Sequence, residues 1–212
     1  KSRYAALIAP CRAKVSLVGA VTRAQADEIA AQLLSRLPQG GACAPLPAVP
    51  EVAPLARAVD ERIPFKSAQA HVLMGQPGYK RGDPDFFALL VGNHILGGGD
   101  LTSRLMEEVR EKRGLSYGVY SSFAPGLHAG AFTVELQTRS DQAADTVGVL
   151  RQVVRDFVAQ GPTEAELQAA KDNLIGGFAL RIDANGKLLD NVANIAWNGL
   201  PLDYLDHWTE RV

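Results

Sequence analysis

The sequence predicts an α+β fold, in which a mainly antiparallel sheet carries helices on one face. Segments 116–124 and 130–138 alternate in polarity and are joined by the short turn PGLHA, which is typical of a hairpin. From residue 141 onward, helical patterns follow one another without intervening strands. Two helices packed on one face of the sheet are the simplest arrangement of these elements.

Composition and charge exclude several classes of partner. The chain has 212 residues, is 47% hydrophobic and carries a formal net charge of -1. No block of five like charges occurs, which argues against a nucleic-acid surface. No apolar run approaches the ~18 residues that a membrane span needs. We therefore expect a globular chain with one good-sized core, no nucleic-acid partner and no membrane span.

The first part of the chain predicts a compact strand-helix unit. Residues 14–20 (KVSLVGA) have the pattern of a short strand, and 22–37 have helical spacing. A proline-rich, nearly uncharged stretch follows and indicates an extended linker. Cys11 and Cys43 match no CxxC spacing, so we expect buried or free thiols. The predicted domains are a terminal unit at 1–40, a linker at 41–54 and the main domain at 55–212.

The main domain contains further recognisable elements. Strands are predicted at 56–64 and 68–75. Asp83 and Pro84 begin a buried helix that ends at a run of three glycines. Asp100 or Thr102 caps the next helix, and Gly114 closes it in the left-handed conformation. The later predictions are helices at 141–160, from a Thr163/Glu166 capping box to about 181, and over 185–212 with a break at 199–201.

The histidines do not form a recognisable zinc motif. Neither HExxH nor HxxEH occurs, and no histidine has a second ligand at helical spacing. We expect His94 to be a core histidine and His128, in the hairpin turn, to be solvated. The sequence therefore predicts no metal site in this chain.

Gly97, Gly98 and Gly99 lie between two predicted helices. A phosphate site is a poor interpretation, because no lysine accompanies the glycines and Asp100 would repel phosphate. A flexible joint between helices is one alternative. The other is a loop whose exposed backbone binds an extended peptide.

Arg110 and Tyr117 are the best candidates for chemistry. Arg110 lies in the last turn before Gly114, and Tyr117 begins the following strand. A helix that turns back into a strand brings a guanidinium and a phenol together, and both can donate to a carbonyl oxygen or oxyanion. The alternative is that Arg110 complements the helix dipole while Tyr117 half-buries its ring.

Four ordered segments carry a resemblance to a known family. They are DPDFFALLVGNHILGGG, SRLMEEVREKRGLSYGVYSSF, AGAFTVELQTR and GPTEAELQAAKDNLIGG. Together they resemble the C-terminal domain of insulinase/pitrilysin-type zinc metallopeptidases, including the processing peptidases. The segment VGAVTRAQADEIAAQLLSRLP with its linker resembles the end of the preceding homologous domain.

The resemblance implies a LuxS/processing-peptidase-like metalloprotease fold that is the non-catalytic half of a bacterial zinc endopeptidase. Arg110 and Tyr117 match an arginine-tyrosine pair that, in the family, holds the scissile carbonyl while zinc-bound water attacks. Gly97 to Gly99 match a glycine-rich loop linked to presequence recognition. The expected partners are a zinc-bearing homologous domain or subunit and a peptide substrate, and the zinc lies in that partner.

The chain departs from the complete enzyme because it lacks HxxEH and a last strand-helix unit. We therefore expect it to be inactive alone, with a possible homodimer of the isolated fragment. The resemblance favours the bacterial periplasm over the cytoplasm. A structural or interaction subunit, which keeps the fold without a peptidase role, remains the alternative.

Overall fold

The computed structural model describes residues 8–38, 43, 46–51 and 53–212. They form two compact units. The sheet unit comprises Glu51–Gly176 and Trp208–Val212, and the helical unit comprises Lys1–Pro50 and Gly177–His207. The assignment of residues 1–40 to a preceding homologous domain stays a prediction.

The sheet unit is built on three antiparallel strands. They are β1 (Gln69–Pro77), β2 (Val119–Phe123) and β3 (Ala131–Arg139), in the order β1-β3-β2. The predicted hairpin is formed by β2 and β3, and the predicted strand at 68–75 is β1. The α+β prediction is therefore confirmed.

Helices of the sheet unit cover one face of this sheet. Those of the two units, in chain order, are α1 (Arg23–Ser35), α2 (Phe86–Asn93), α3 (Met106–Glu111), α4 (Ala143–Gln160), α5 (Glu164–Gly176), α6 (Asn185–Asn198) and α7 (Trp208–Arg211). The segment His94–Gly98 continues α2 as a π-helical turn, and α3 is itself π-helical. No helix in the described part of the chain is long and apolar enough to span a membrane.

The alternation of β3 decides which sheet face is covered. Its apolar side chains, such as Val134 and Leu136, are buried beneath the helices, while Glu135 and Gln137 between them are exposed. One sheet face is therefore packed and the other is open. The core consists of Leu96, Leu105, Met106, Val109, Val119, Phe132, Val134, Leu136, Leu150 and Val153.

Several helix ends follow the predicted signals, but two predicted starts are wrong: α2 begins at Phe86 after Asp85, and neither Asp100 nor Thr102 caps the helix that leads into α3. Thr22 caps α1 in a reciprocal capping box with Gln25. Thr163 and Glu166 form the predicted capping box, in which the Thr163 amide donates to Glu166 Oε2 over 2.7 Å. Gly199 ends α6 in the left-handed conformation. Local capping chemistry therefore determines these boundaries.

Two predicted strands are absent from the described sheet. Residues 14–20 and 56–64 pair with no strand, and the first segment leaves Val15 and Leu17 partly exposed. A strand forms only where another strand offers its edge for hydrogen bonding, and an apolar sequence pattern does not show whether such an edge is present.

The prediction of free thiols is wrong. The structure joins Cys11 to Cys43 in a disulfide within the helical unit, with the Cα atoms 6.4 Å apart. The two residues are 32 positions apart, so no local motif could reveal the pairing.

An ion pair connects the start of α5 to the helix region before α3. The Arg104 guanidinium meets both carboxylate oxygens of Glu166 at 2.6 Å and donates to the Gly161 carbonyl at 3.0 Å. Chiefly through the hydrogen bond from Arg104, and further through Thr163, the pKa of Glu166 falls from 4.5 to about 2. This forked geometry is the strong form of an arginine-carboxylate pair.

We expect Glu166→Gln to lower the free energy of unfolding at neutral pH by about 1–2 kcal/mol, since Glu166 keeps partial contact with solvent. Because the folded-state pKa lies below the unfolded one, the stabilisation is present above pH 4.5 and lost as the pH falls toward 2. Urea unfolding between about pH 7 and pH 2 measures this. The exposed Glu164→Gln, in the same first turn of α5, is the matched control. A difference between wild type and Glu166→Gln that stays constant over this range would contradict the assignment.

Candidate functional site

Arg110 and Tyr117 are brought together by the turn that follows α3. Gly114 has a φ of +61°, and its amide donates to the Arg110 carbonyl at 2.9 Å. The Leu115 amide donates to the Val109 carbonyl at the same distance, which reverses the chain toward β2. Gly114 is therefore required by backbone conformation, as predicted.

Two buried hydroxyls fix the segment that carries Tyr117. The Ser116 hydroxyl lies 2.6 Å from the Gln137 carbonyl and 2.7 Å from the Gly118 carbonyl. The Thr138 hydroxyl donates to the Leu115 carbonyl at 2.6 Å. The bonds to the Gln137 carbonyl and from the Thr138 hydroxyl attach residues 115–116, which precede β2, to the end of β3. The backbone next to Tyr117 is therefore held in place, whereas the Tyr117 side chain is not.

The side chains of Arg110 and Tyr117 meet at the surface. The Arg110 Cζ atom lies 5.1 Å from the centroid of the Tyr117 ring, within cation-π range. Arg110 also forms an ion pair with Glu111, with Nε and Oε1 3.5 Å apart. Tyr117 is 87% exposed, so the half-buried ring of the alternative interpretation is not found. The exposed Tyr117 ring therefore lies beside a half-buried Arg110 side chain.

The three glycines have different environments. Gly97 is buried against β2, and a Cβ there would lie 2.5 Å from Ser121 Oγ and 2.6 Å from Leu105 Cδ1. A Cβ on Gly99 would lie 2.5 Å from the His94 carbonyl oxygen. Gly98 is exposed. Close packing accounts for Gly97, whereas only Gly98 offers an open surface to a ligand.

The same region closes the outer edge of β2. The Asn93 amide donates to the Ser121 carbonyl at 3.2 Å, and the Ser121 hydroxyl donates to the Asn93 side-chain oxygen at 2.8 Å. The Val119 amide points at Met106 Sδ, 3.4 Å away. A peptide therefore cannot extend the sheet along this edge without displacing α2 or α3.

A groove beside Tyr117 is the feature that the sequence did not reveal. It has a volume of about 760 Å³ and runs over the open face of the sheet. Side chains that line it include His71, Leu73, Tyr117, Tyr120, Glu135 and Gln137. The alternation of β3 predicts that Glu135 lies on the sheet face opposite to that of Val134 and Leu136. Its neighbours on the adjacent strands could be identified only from the strand register.

The described residues contain no group of three or more histidine, cysteine, aspartate or glutamate side chains placed to hold a metal ion. His128 lies in the hairpin turn with Nδ1 3.1 Å from Glu51 Oε1, and His94 is half-buried. Zinc therefore does not fit the residues that the structure describes.

Comparison with known proteins identifies the family to which this fold belongs. The family model described as the peptidase M16 inactive domain matches residues 1–174. The chain belongs to this family, which confirms the resemblance seen in the sequence. It is thus an inactive domain of zinc protease-like proteins.

Similarity to individual proteins agrees with this assignment. An uncharacterized zinc protease of Streptomyces coelicolor is 37% identical over 65% of the chain and 30% of its own length. A non-peptidase homolog of Helicobacter pylori is 34% identical over 68% of the chain and 34% of its own length. The chain spans about a third of these curated relatives.

Among solved structures, a peptidase M16 inactive domain from Pseudomonas fluorescens has a TM-score of 0.90 and 37% identity. It matches 99% of the chain and 49% of that structure's chain. The agreement in fold therefore extends over nearly the whole sequence.

Proposed function

We propose that this chain is the non-catalytic half of a zinc metalloendopeptidase and contributes peptide binding together with an Arg110/Tyr117 clamp on the scissile carbonyl. The observation that carries the proposal is the exposed Tyr117 ring beside the Arg110 guanidinium. Folding alone gives no reason to leave this ring in water while the backbone around it is held by buried hydrogen bonds. An exposed tyrosine side chain on a held backbone is instead available for contact with a ligand.

The chemistry of the pair suits a peptide carbonyl. A guanidinium and a phenol are both hydrogen-bond donors, and such donors stabilise the negative charge that develops on a carbonyl oxygen during acyl transfer. The ion pair between Arg110 and the exposed Glu111 is weak enough for a substrate oxygen to compete with it. Gly98, with its exposed backbone, supplies a second candidate contact for the peptide.

The zinc belongs, on this proposal, to a homologous domain or subunit. The described residues of this chain do not fit the metal, and relatives called zinc proteases are about three times as long as the matched region. Such a partner, from the same polypeptide or a separate one, would carry out the hydrolytic step. The present chain would position the peptide.

A second candidate function is a structural or interaction subunit. Its support is the Helicobacter pylori relative, which is described as a non-peptidase homolog. The presence of both Arg110 and Tyr117 favours the peptidase role, because a purely structural subunit has no need for an exposed donor pair.

Reconstitution distinguishes the two functions. The chain is mixed with the homologous HxxEH-bearing domain or subunit from the same source, and cleavage of a quenched fluorescent peptide is followed. We expect hydrolysis only in the mixture, by at least about a hundredfold over either component. Complex formation with no gain in hydrolysis over the zinc-bearing component alone would establish the structural role instead.

A further inference from the structure

The two outer edges of the sheet differ. The edge of β2 is closed by contacts from α2 and α3. β1 forms the opposite edge, and β3 is its only partner among the described strands. No described residue accepts a hydrogen bond from the backbone amide of His71, Leu73 or Gly75. One edge of the sheet is therefore open to a further strand.

The register identifies the backbone groups that this edge presents. The Ser140 amide donates to the Ala68 carbonyl at 3.3 Å, and the Gly78 amide donates to the Gly130 carbonyl at 2.7 Å. Both bonds continue the antiparallel register of β1 and β3, in which every second residue bonds to the neighbouring strand. The even-numbered residues of β1 therefore bond to β3, and the odd-numbered residues point their amides and carbonyls outward.

The free donors of this edge are centred on Leu73. At one end of β1, the Gln69 amide donates to the Ser67 hydroxyl at 3.2 Å. At the other end, Pro77 has no amide to donate. The outward amides that remain are those of Leu73 and of the residues two positions to either side of it. A strand of the same sequence, running antiparallel with Leu73 opposite Leu73, would pair all of them.

The side chains of β1 also suit contact with a copy of the same strand. Its sequence, QAHVLMGQP, contains no lysine, arginine, aspartate or glutamate, so no like charges would meet and the usual protection of an edge strand is missing. Leu73 is 72% exposed on the open face and would lie against its own copy. On the covered face, Val72 would lie opposite Met74, and both side chains are only partly buried in the single chain.

We propose that this edge is an interface between two copies of the chain. β1 of one copy pairs antiparallel with β1 of the other about a two-fold axis at Leu73, which joins the two three-stranded sheets into one continuous sheet. Each copy uses the same surface, so the association closes at a dimer. The proposal goes beyond the peptide clamp and does not depend on it.

Sedimentation velocity of the full chain between about 5 and 200 µM tests the proposal, since a small contact of this kind gives a weak dimer. The mean mass should rise toward twice that of the monomer as the concentration increases. Leu73→Lys should abolish this rise, because two like charges would face each other at the axis. Gln137→Lys, which adds the same charge to an exposed position on the middle strand, is the matched control and should dimerise as wild type does.

Cysteine cross-linking tests the register. Leu73→Cys places two thiols across the axis, where the paired Cα atoms would lie about 5.5 Å apart, within disulfide range. His71→Cys is the matched control on the same strand, because its two copies would lie about 13 Å apart along the strands. The native Cys11 and Cys43 are joined to each other. On mild oxidation Leu73→Cys should form the covalent dimer at least about tenfold faster than His71→Cys.

Three results would overturn the proposal. The first is a chain that stays monomeric at the highest concentration, and the second is equal cross-linking of Leu73→Cys and His71→Cys. The third is a dimer that survives Leu73→Lys, since association would then use another surface. If the chain stays monomeric alone and Leu73→Lys instead prevents its association with the zinc-bearing partner, the edge belongs to that partner and not to a second copy.

Discussion

On the proposed clamp function, Tyr117→Phe and Arg110→Ala should each reduce turnover of the enzyme assembled with its zinc-bearing partner by about a hundredfold and leave the fold of this chain intact. Loss of one donor to a developing oxyanion costs roughly 3 kcal/mol, which corresponds to that factor. Tyr117→Phe removes only the hydroxyl of an exposed ring, so no core contact is lost. The effect should fall on kcat more than on KM, because the donors act on charge that develops in the transition state.

Steady-state kinetics of the reconstituted enzyme measures this effect. Arg113→Ala is the matched control, because Arg113 lies just beyond the same helix and pairs with Glu108, away from Tyr117. If the two donors bind one oxygen together, the double variant should be little worse than either single variant. Unchanged turnover in both single variants would end the clamp proposal.

The proximity of Arg110 and Tyr117 could be predicted because it depends on local structure. They are seven positions apart, and the left-handed glycine between them is a recognisable helix stop. The helix start at Thr22 and the capping box at Thr163 were predictable for the same reason. Each of these features is set by residues within a few positions of one another.

Features that depend on distant parts of the chain were not predicted. The segment at 14–20 has the apolar pattern of a strand, but strand formation requires an edge that the pattern does not encode. The Cys11–Cys43 disulfide and the flanking of Glu135 by Leu73 and Tyr120 also arise between residues far apart in sequence. The carboxylate was visible in the sequence, whereas its place in a groove was not.

Gly97→Ala should destabilise the chain by about 3 kcal/mol, the upper part of the range for an added group in a packed core. The new Cβ would lie 2.7 Å from the Ser121 amide nitrogen as well as close to Ser121 Oγ and Leu105 Cδ1. A side chain could rotate away, but the amide belongs to β2 and cannot move alone. The clash can be removed only if the π-helical turn at the end of α2 moves away from β2.

Chemical denaturation of the variant measures this cost, with Gly148→Ala as the control. Gly148 lies within α4, and a Cβ added there would meet nothing within 4 Å, so its replacement should stabilise the chain by up to about 1 kcal/mol. A Gly97→Ala variant as stable as wild type would show that α2 and β2 are not tightly packed. Loss of activity in Gly97→Ala would therefore show only that β2 and Tyr117 have been displaced, and would not show that Gly97 contacts the peptide. A side chain at Gly98 would also disturb β2, because its Cβ would lie 2.6 Å from Asn93 Nδ2, which donates to the Ser121 carbonyl.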